Sequence, residues 1–191
     1  MRWDAFDVAF MGTSLTARLT AKKWIDAFQS RTQLQTQRPF RTYDFGSPGK
    51  ASDYGVTIVS QVVAMKPKVA VIEYAMNDAV TTSGISVAAF QSNLVLMLQA
   101  FWAGSPATKL FLMTMNPAIS PGTALVPSLA SYYQGMRAVA AAQGVSLIDN
   151  TPSWGTPAPG DMLPDGIHPL DDPAVAVIVP NVTAAIAPLI V

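Results

Sequence analysis

The feature that most constrains this chain is an alternation of two patterns. Apolar runs of strand length lie near residues 6–10, 42–45, 69–74, 110–115 and 145–148, and stretches with helical spacing lie near 15–28, 52–65, 87–102, 127–143 and 173–187. Parallel strands need long crossover connections, so this strand–helix alternation predicts a parallel sheet covered by helices. The third run, Val69-Ala70-Val71-Ile72, is continuously apolar, as a central strand buried on both faces should be. Helix ends are marked by Pro67, Gly104 and Gly144, residues that stop a helix or accept a left-handed cap. Asp172-Pro173 predicts an N-cap and first helical residue for the last helix, and Pro180 inside it predicts a kink or two shorter pieces. With no internal repeat and 191 residues, the expectation is one domain, residues 1–191.

Composition narrows the chemistry. Twelve basic and twelve acidic residues cancel without a basic block, which argues against a nucleic-acid or anionic-membrane partner. The most apolar run, residues 174–179, is short and ends at Pro180, so no transmembrane segment is expected. Cysteine is absent and His168 is the single histidine, which excludes thiol catalysis and multi-histidine zinc sites. Asp4 and Asp7 interrupt any apolar leader at the start, so no export signal is expected within these residues and the compartment stays open.

Four short stretches carry candidate chemistry. Gly12-Thr13-Ser14-Leu15 follows the first strand, and a turn there places Ser14 at the carboxyl edge of the sheet, where open α/β folds bind ligands. It also fits an ordinary helix N-cap. Ser47-Pro48-Gly49 follows the second strand; Gly49 offers an unobstructed N–H, and the glycine spacing does not fit a P-loop. Asn77, in Tyr74-Ala75-Met76-Asn77-Asp78, carries an amide able to hydrogen-bond a developing oxyanion, or to cap the next turn. In Asp165-Gly166-Ile167-His168, a carboxylate three residues before a histidine can hold one ring nitrogen and leave the other free to take a proton; an Asp-Gly turn is the plainer alternative. Two long loops, 116–126 and 150–171, follow strands, and Trp154, Met162 and Leu163 in the second offer an apolar wall.

In that order the four stretches resemble the SGNH (GDSL-type) hydrolase superfamily, whose blocks supply Ser, Gly, Asn and His. The resemblance spans nearly the whole chain, and the segment 67–72 leading to Asn77 is similar to the family's third strand. It implies a three-layer α/β/α sandwich with a five-stranded parallel sheet in flavodoxin-like order 2-1-3-4-5. It further implies a serine esterase acting through an acyl-enzyme on Ser14, with Asp165 and His168 completing a triad. Ser14, Gly49 and Asn77 would form the oxyanion hole, with no cofactor or metal. Short-acyl esters, carbohydrate acetates among them, are the expected substrates. Thioesters, lysophospholipids and a non-catalytic carbohydrate-binding role are the alternatives. Thr13 stands where the family usually has aspartate, and Ala75 where it usually has glycine.

Overall fold

In a computed structural model, which describes residues 5–17 and 22–190, five parallel strands form one sheet in the order β2-β1-β3-β4-β5. The strands are β1 (Phe6–Gly12), β2 (Phe40–Gly46), β3 (Val69–Glu73), β4 (Lys109–Thr114) and β5 (Ser146–Asp149). Between and after them run helices α1 (Lys22–Thr36), α2 (Ser52–Ala64), α3 (Val87–Gly104), α4 (Leu129–Gln143), α5 (Thr151–Trp154) and α6 (Asp171–Ile186). Helices α1 and α6 pack together, and α3 packs between α2 and α4, so two helical layers enclose the sheet. This is the expected α/β/α sandwich.

The central strand explains the architecture. All five residues of β3 are buried, and β3 pairs with β1 on one side and β4 on the other. On the β1–β2 flank, Phe10 meets Trp24 and Phe28 edge-on, and Phe28 meets Phe40 in the same way. Burying side chains of this size contributes about 1.5–3 kcal/mol each. The order reverses between β1 and β3, the switch point at whose carboxyl end such sheets form a crevice. Gly12, Gly46 and Glu73 all end strands there.

Several local expectations need correction. Residues 14–16 form a turn, and α1 begins at Lys22 rather than Leu15; residues 18–21, part of the helix expected from Leu15, lie outside the described residues. The last helix begins at Asp171 with Leu170 as N-cap, which places Pro173 third in the first turn, where backbone N–H groups have no helical partner to lose. It also runs unbroken through Pro180. Pro180 and Ala176 are both exposed, so water can satisfy the carbonyl four residues back that loses its donor. The 150–171 loop is not wholly irregular, since α5 opens it. Trp154 and Met162 pack into the interior, and only Leu163 stands exposed. Among the described residues two helical stretches, Val87–Gly104 and Asp171–Leu189, are long and apolar enough to cross a membrane by length and composition only, and neither is a clear membrane span. Each has a buried side in the sandwich, from Phe90 to Phe101 in α3 and from Ala174 to Ile186 in α6.

Candidate active site

The segments that follow the five strands carry the candidate site. After β1, Thr13 O accepts from the N–H groups of Thr16 and Ala17 at 3.2 and 3.0 Å. The resulting tight turn carries Ser14, which is 7% exposed. Trp24 Nε1 donates to Leu15 O at 2.9 Å and pins the turn to α1. From β3, Glu73 reaches under the same turn and accepts from Thr13 N at 2.9 Å, Thr13 Oγ1 at 3.1 Å and Thr16 Oγ1 at 2.8 Å.

The long segment after β5 brings in the histidine. Met162 pairs with Pro169 in an isolated antiparallel bridge, and Leu163 N donates to His168 O at 2.7 Å. The loop is therefore a closed hairpin. Asn116, just past β4, donates through Nδ2 to Ile167 O at 2.7 Å, and Tyr133 Oη donates to Asn116 O at 2.9 Å. Ile119 N adds a bond to Gly166 O at 2.8 Å.

Held in this way, His168 Nε2 lies 2.7 Å from Ser14 Oγ, and His168 Nδ1 lies 2.7 Å from Asp165 Oδ2. The other oxygen, Asp165 Oδ1, accepts from the N–H groups of Ile167 and His168 at 2.8 and 3.0 Å. Burial pushes the Asp165 carboxyl up, but these amide bonds and the ring contact outweigh it and hold it below the ordinary carboxylate range. An ionised Asp165 needs the proton on Nδ1, which leaves the Nε2 lone pair facing the serine hydroxyl.

Two of the expected oxyanion donors, Gly49 and Asn77, lie together. Ser47 N donates to Gly12 O at 2.9 Å, and Lys50 N to Ser47 O at 3.2 Å. Gly49 sits in that turn at φ 72°, a left-handed conformation that favours glycine. Asn77 Nδ2 donates to Lys50 O at 2.8 Å, which fixes the amide against the Gly49 turn and leaves its second hydrogen for a ligand. Buried Asp78 accepts from the Ser52 amide and hydroxyl and so clamps the start of α2. Burial raises the Asp78 carboxyl, against those hydrogen bonds. Gly49 and Asn77 line one open cleft of about 720 Å³, shared with Lys50, Asp53, Tyr54 and Thr57.

All five residues singled out in the sequence thus come to this edge of the sheet. The sequence reading missed Glu73, Asp78 and Asn116. Glu73 had a visible signal, a carboxylate ending an otherwise wholly apolar run. Ala75 has φ 138° and is fully buried, so the methyl group there is held in a backbone conformation suited to glycine.

The chain matches the GDSL-like Lipase/Acylhydrolase family over residues 10–172. No protein of curated function matches it significantly. Among solved structures it is similar to the lipase/acylhydrolase from Enterococcus faecalis, with TM-score 0.82, 20% identity and 96% of each chain covered. It is similar to TesA at TM-score 0.78 and 26% identity, over 96% of this chain and 99% of that one. A third likeness is to a catalytic mutant of Axe2, an acetylxylan esterase from Geobacillus stearothermophilus, with TM-score 0.78, 15% identity and coverage of 96% and 94%. The family match over most of the chain, on a five-stranded parallel sheet in the order 2-1-3-4-5, makes this protein a member of the GDSL-like lipase/acylhydrolase family.

Proposed function

We propose that residues 1–191 act as a single catalytic domain, a serine esterase that cleaves short-acyl esters, acetyl esters first among them, of hydroxylated alcohols such as sugars. The observation that carries this reading is the unbroken contact chain Ser14 Oγ–His168 Nε2 and His168 Nδ1–Asp165 Oδ2, 2.7 Å at each link. His168 takes the hydroxyl proton as Ser14 Oγ attacks the ester carbonyl, and Asp165 stabilises the imidazolium that forms. The oxyanion is received by Asn77 Nδ2 and the N–H groups of Gly49 and Ser14. As the tetrahedral intermediate collapses, the C–O bond to the alcohol breaks and His168 returns its proton to the departing oxygen. Water, deprotonated by the same histidine, then releases the acid and restores Ser14.

The cleft beside Asn77 supports the substrate class. Its lining includes Lys50, Asp53, Tyr54, Thr57, Thr82 and Ser83, side chains that can hydrogen-bond hydroxyl groups. A panel of nitrophenyl esters of increasing acyl length, run beside acetylated sugars, tests both parts. Acetyl esters should turn over fastest, and Ser14→Ala should lower kcat by several orders of magnitude with the fold intact. Faster cleavage of dodecanoyl esters would favour a lysophospholipase, and faster cleavage of acyl thioesters a thioesterase. A tenth of wild-type turnover in Ser14→Ala would remove Ser14 as nucleophile.

A further inference from the structure

Glu73 is 1% exposed, and no lysine or arginine among the described residues pairs with it. A charge-capable group in such a place is costly to bury unless it is well bonded. The other residues of β3, Val69 to Ile72, show that the strand readily carries apolar side chains. The donors to the carboxyl group are the amide and hydroxyl of Thr13 and the hydroxyl of Thr16. These belong to the one turn that carries Ser14 between them. Gly12 makes the approach possible, because a Cβ there would collide with Glu73 and with Thr16 Oγ1. Thr13 Oγ1 in turn accepts from Leu15 N at 3.2 Å, so the network reaches residues on both sides of the nucleophile.

We propose that Glu73 is a positioning residue for Ser14: its buried carboxyl oxygens, by receiving three hydrogen bonds from Thr13 and Thr16, hold the turn in the conformation that sets Ser14 Oγ on His168 Nε2. Glu73 touches no substrate in this scheme. The acceptor oxygen matters and the charge does not, since every group bonded to it is a neutral donor. Three of the contacts converge on Oε2, with only Thr13 Oγ1 near Oε1, at 3.3 Å. Glutamine can therefore keep its oxygen where it is needed and turn its NH₂ toward a hydroxyl able to accept. Leucine, of similar size, removes the acceptor altogether. The inference rests on the esterase reading for its kinetic consequence but not for its geometric one.

The test compares Glu73→Leu with Glu73→Gln in ester hydrolysis and in the NMR signals of His168, the only imidazole in the chain. Glu73→Leu should lower kcat roughly 10–100-fold with KM within about twofold, the mark of an interaction lost from the transition state rather than from binding. Its His168 Nε2 shift should move toward that of Ser14→Ala. Glu73→Gln should restore both to near wild type. A folded Glu73→Leu with unchanged kcat and unchanged His168 signals would reduce Glu73 to core packing and overturn the proposal. So would a Glu73→Gln as impaired as the leucine variant, because charge would then be the requirement. If Glu73→Leu does not fold, Thr16→Val removes one of the three arms with little change of shape. It should give a several-fold loss of kcat and the same direction of shift, and wild-type behaviour on both counts would overturn the idea. The NMR arm needs no substrate: a wild-type protein inert to every ester would refute the esterase reading and still leave the position of Ser14 to be decided by the His168 shift.

Discussion

Asp165 and Glu73 each hold one half of the site, and they work in opposite surroundings. The Asp165 side chain is 42% exposed and bonds only to its own loop, two and three residues away. Glu73 is sealed under β1 and bonds to residues 57 and 60 positions distant. Amide and ring donors hold Asp165 below the ordinary carboxylate range, whereas burial pushes Glu73 up to about 7 against its hydrogen bonds. In the proposed mechanism Asp165 faces a ring that becomes cationic, so its charge has something to stabilise. Glu73 faces neutral donors only. The same functional group therefore serves as a charge in one place and as an oxygen in the other.

Neutralising each carboxylate while keeping its shape sharpens the contrast. Asp165→Asn should lower kcat by roughly 10³–10⁴, because the amide removes the anion and can favour the wrong imidazole tautomer. Its stability should change by about 1 kcal/mol or less, since an exposed loop side chain that still accepts the Ile167 and His168 amides loses little. Denaturant titration beside steady-state kinetics measures both, and a loss of less than tenfold in kcat would break the contrast at its strongest point.

Asn77→Ala probes the oxyanion side and should cost roughly 10²–10³ in kcat with KM near wild type. One amide hydrogen is already committed to Lys50 O, so the variant also frees the Gly49 turn, and its effect should reach the upper part of that range. Normal kcat with raised KM would assign Asn77 to substrate positioning instead.

The contrast also explains what could be read in the sequence. Asp165 and His168 act across three residues, so their pairing was legible as a motif, and Ser14, Gly49 and Asn77 were legible because strand ends in an alternating α/β pattern all point to one edge. Strand order followed from the family resemblance. Glu73 was not read because its meaning depends on a neighbour from β1, and strand adjacency is not a local property of the chain. Asn116 escaped for the same reason, since its contact with Ile167 O spans 51 residues. The unbroken α6 was misread because the exposure of Pro180, which spares the helix, depends on tertiary packing.

A smaller effect separates the two carboxylates by pH. The folded chain keeps the Glu73 proton up to about 7, while its ordinary value is 4.5, so between those limits the folded state binds more protons than the unfolded one. Stability attached to this group is therefore full below about 4.5 and is lost as pH rises through about 7, on the order of 3 kcal/mol at about 1.4 kcal/mol per pKa unit. Buried Asp78 adds a contribution of the same sign, common to wild type and variant. Glu73→Gln has no proton to lose, so its stability relative to wild type should rise steadily from pH 4.5 to 7.5 in denaturant titrations. Parallel pH profiles for the two proteins would mean that burial does not govern this carboxyl.

The smallest effect concerns Ala75, the strained residue midway between Glu73, at the end of β3, and Asn77. Its φ of 138° lies where side chains are disfavoured, at a strain of about 1–3 kcal/mol. Ala75→Gly relieves that strain. Against it stand the greater freedom of glycine in the unfolded chain, about 0.5–1 kcal/mol, and the loss of one buried methyl group, about 0.8 kcal/mol. The opposing contributions largely offset each other, so the variant should lie between about 0.8 kcal/mol less stable and about 1.7 kcal/mol more stable than wild type, a rise in Tm of at most about 7 °C for a chain this long. Because β3 and the Asn77–Lys50 bond are untouched, kcat should stay within about twofold. A buried alanine in relaxed backbone would behave differently, losing both methyl burial and chain entropy with nothing returned. A loss of more than about 1 kcal/mol in Ala75→Gly would therefore show that the turn accepts its Cβ without strain, and that the step from the positioning carboxyl to the oxyanion amide is an ordinary piece of backbone.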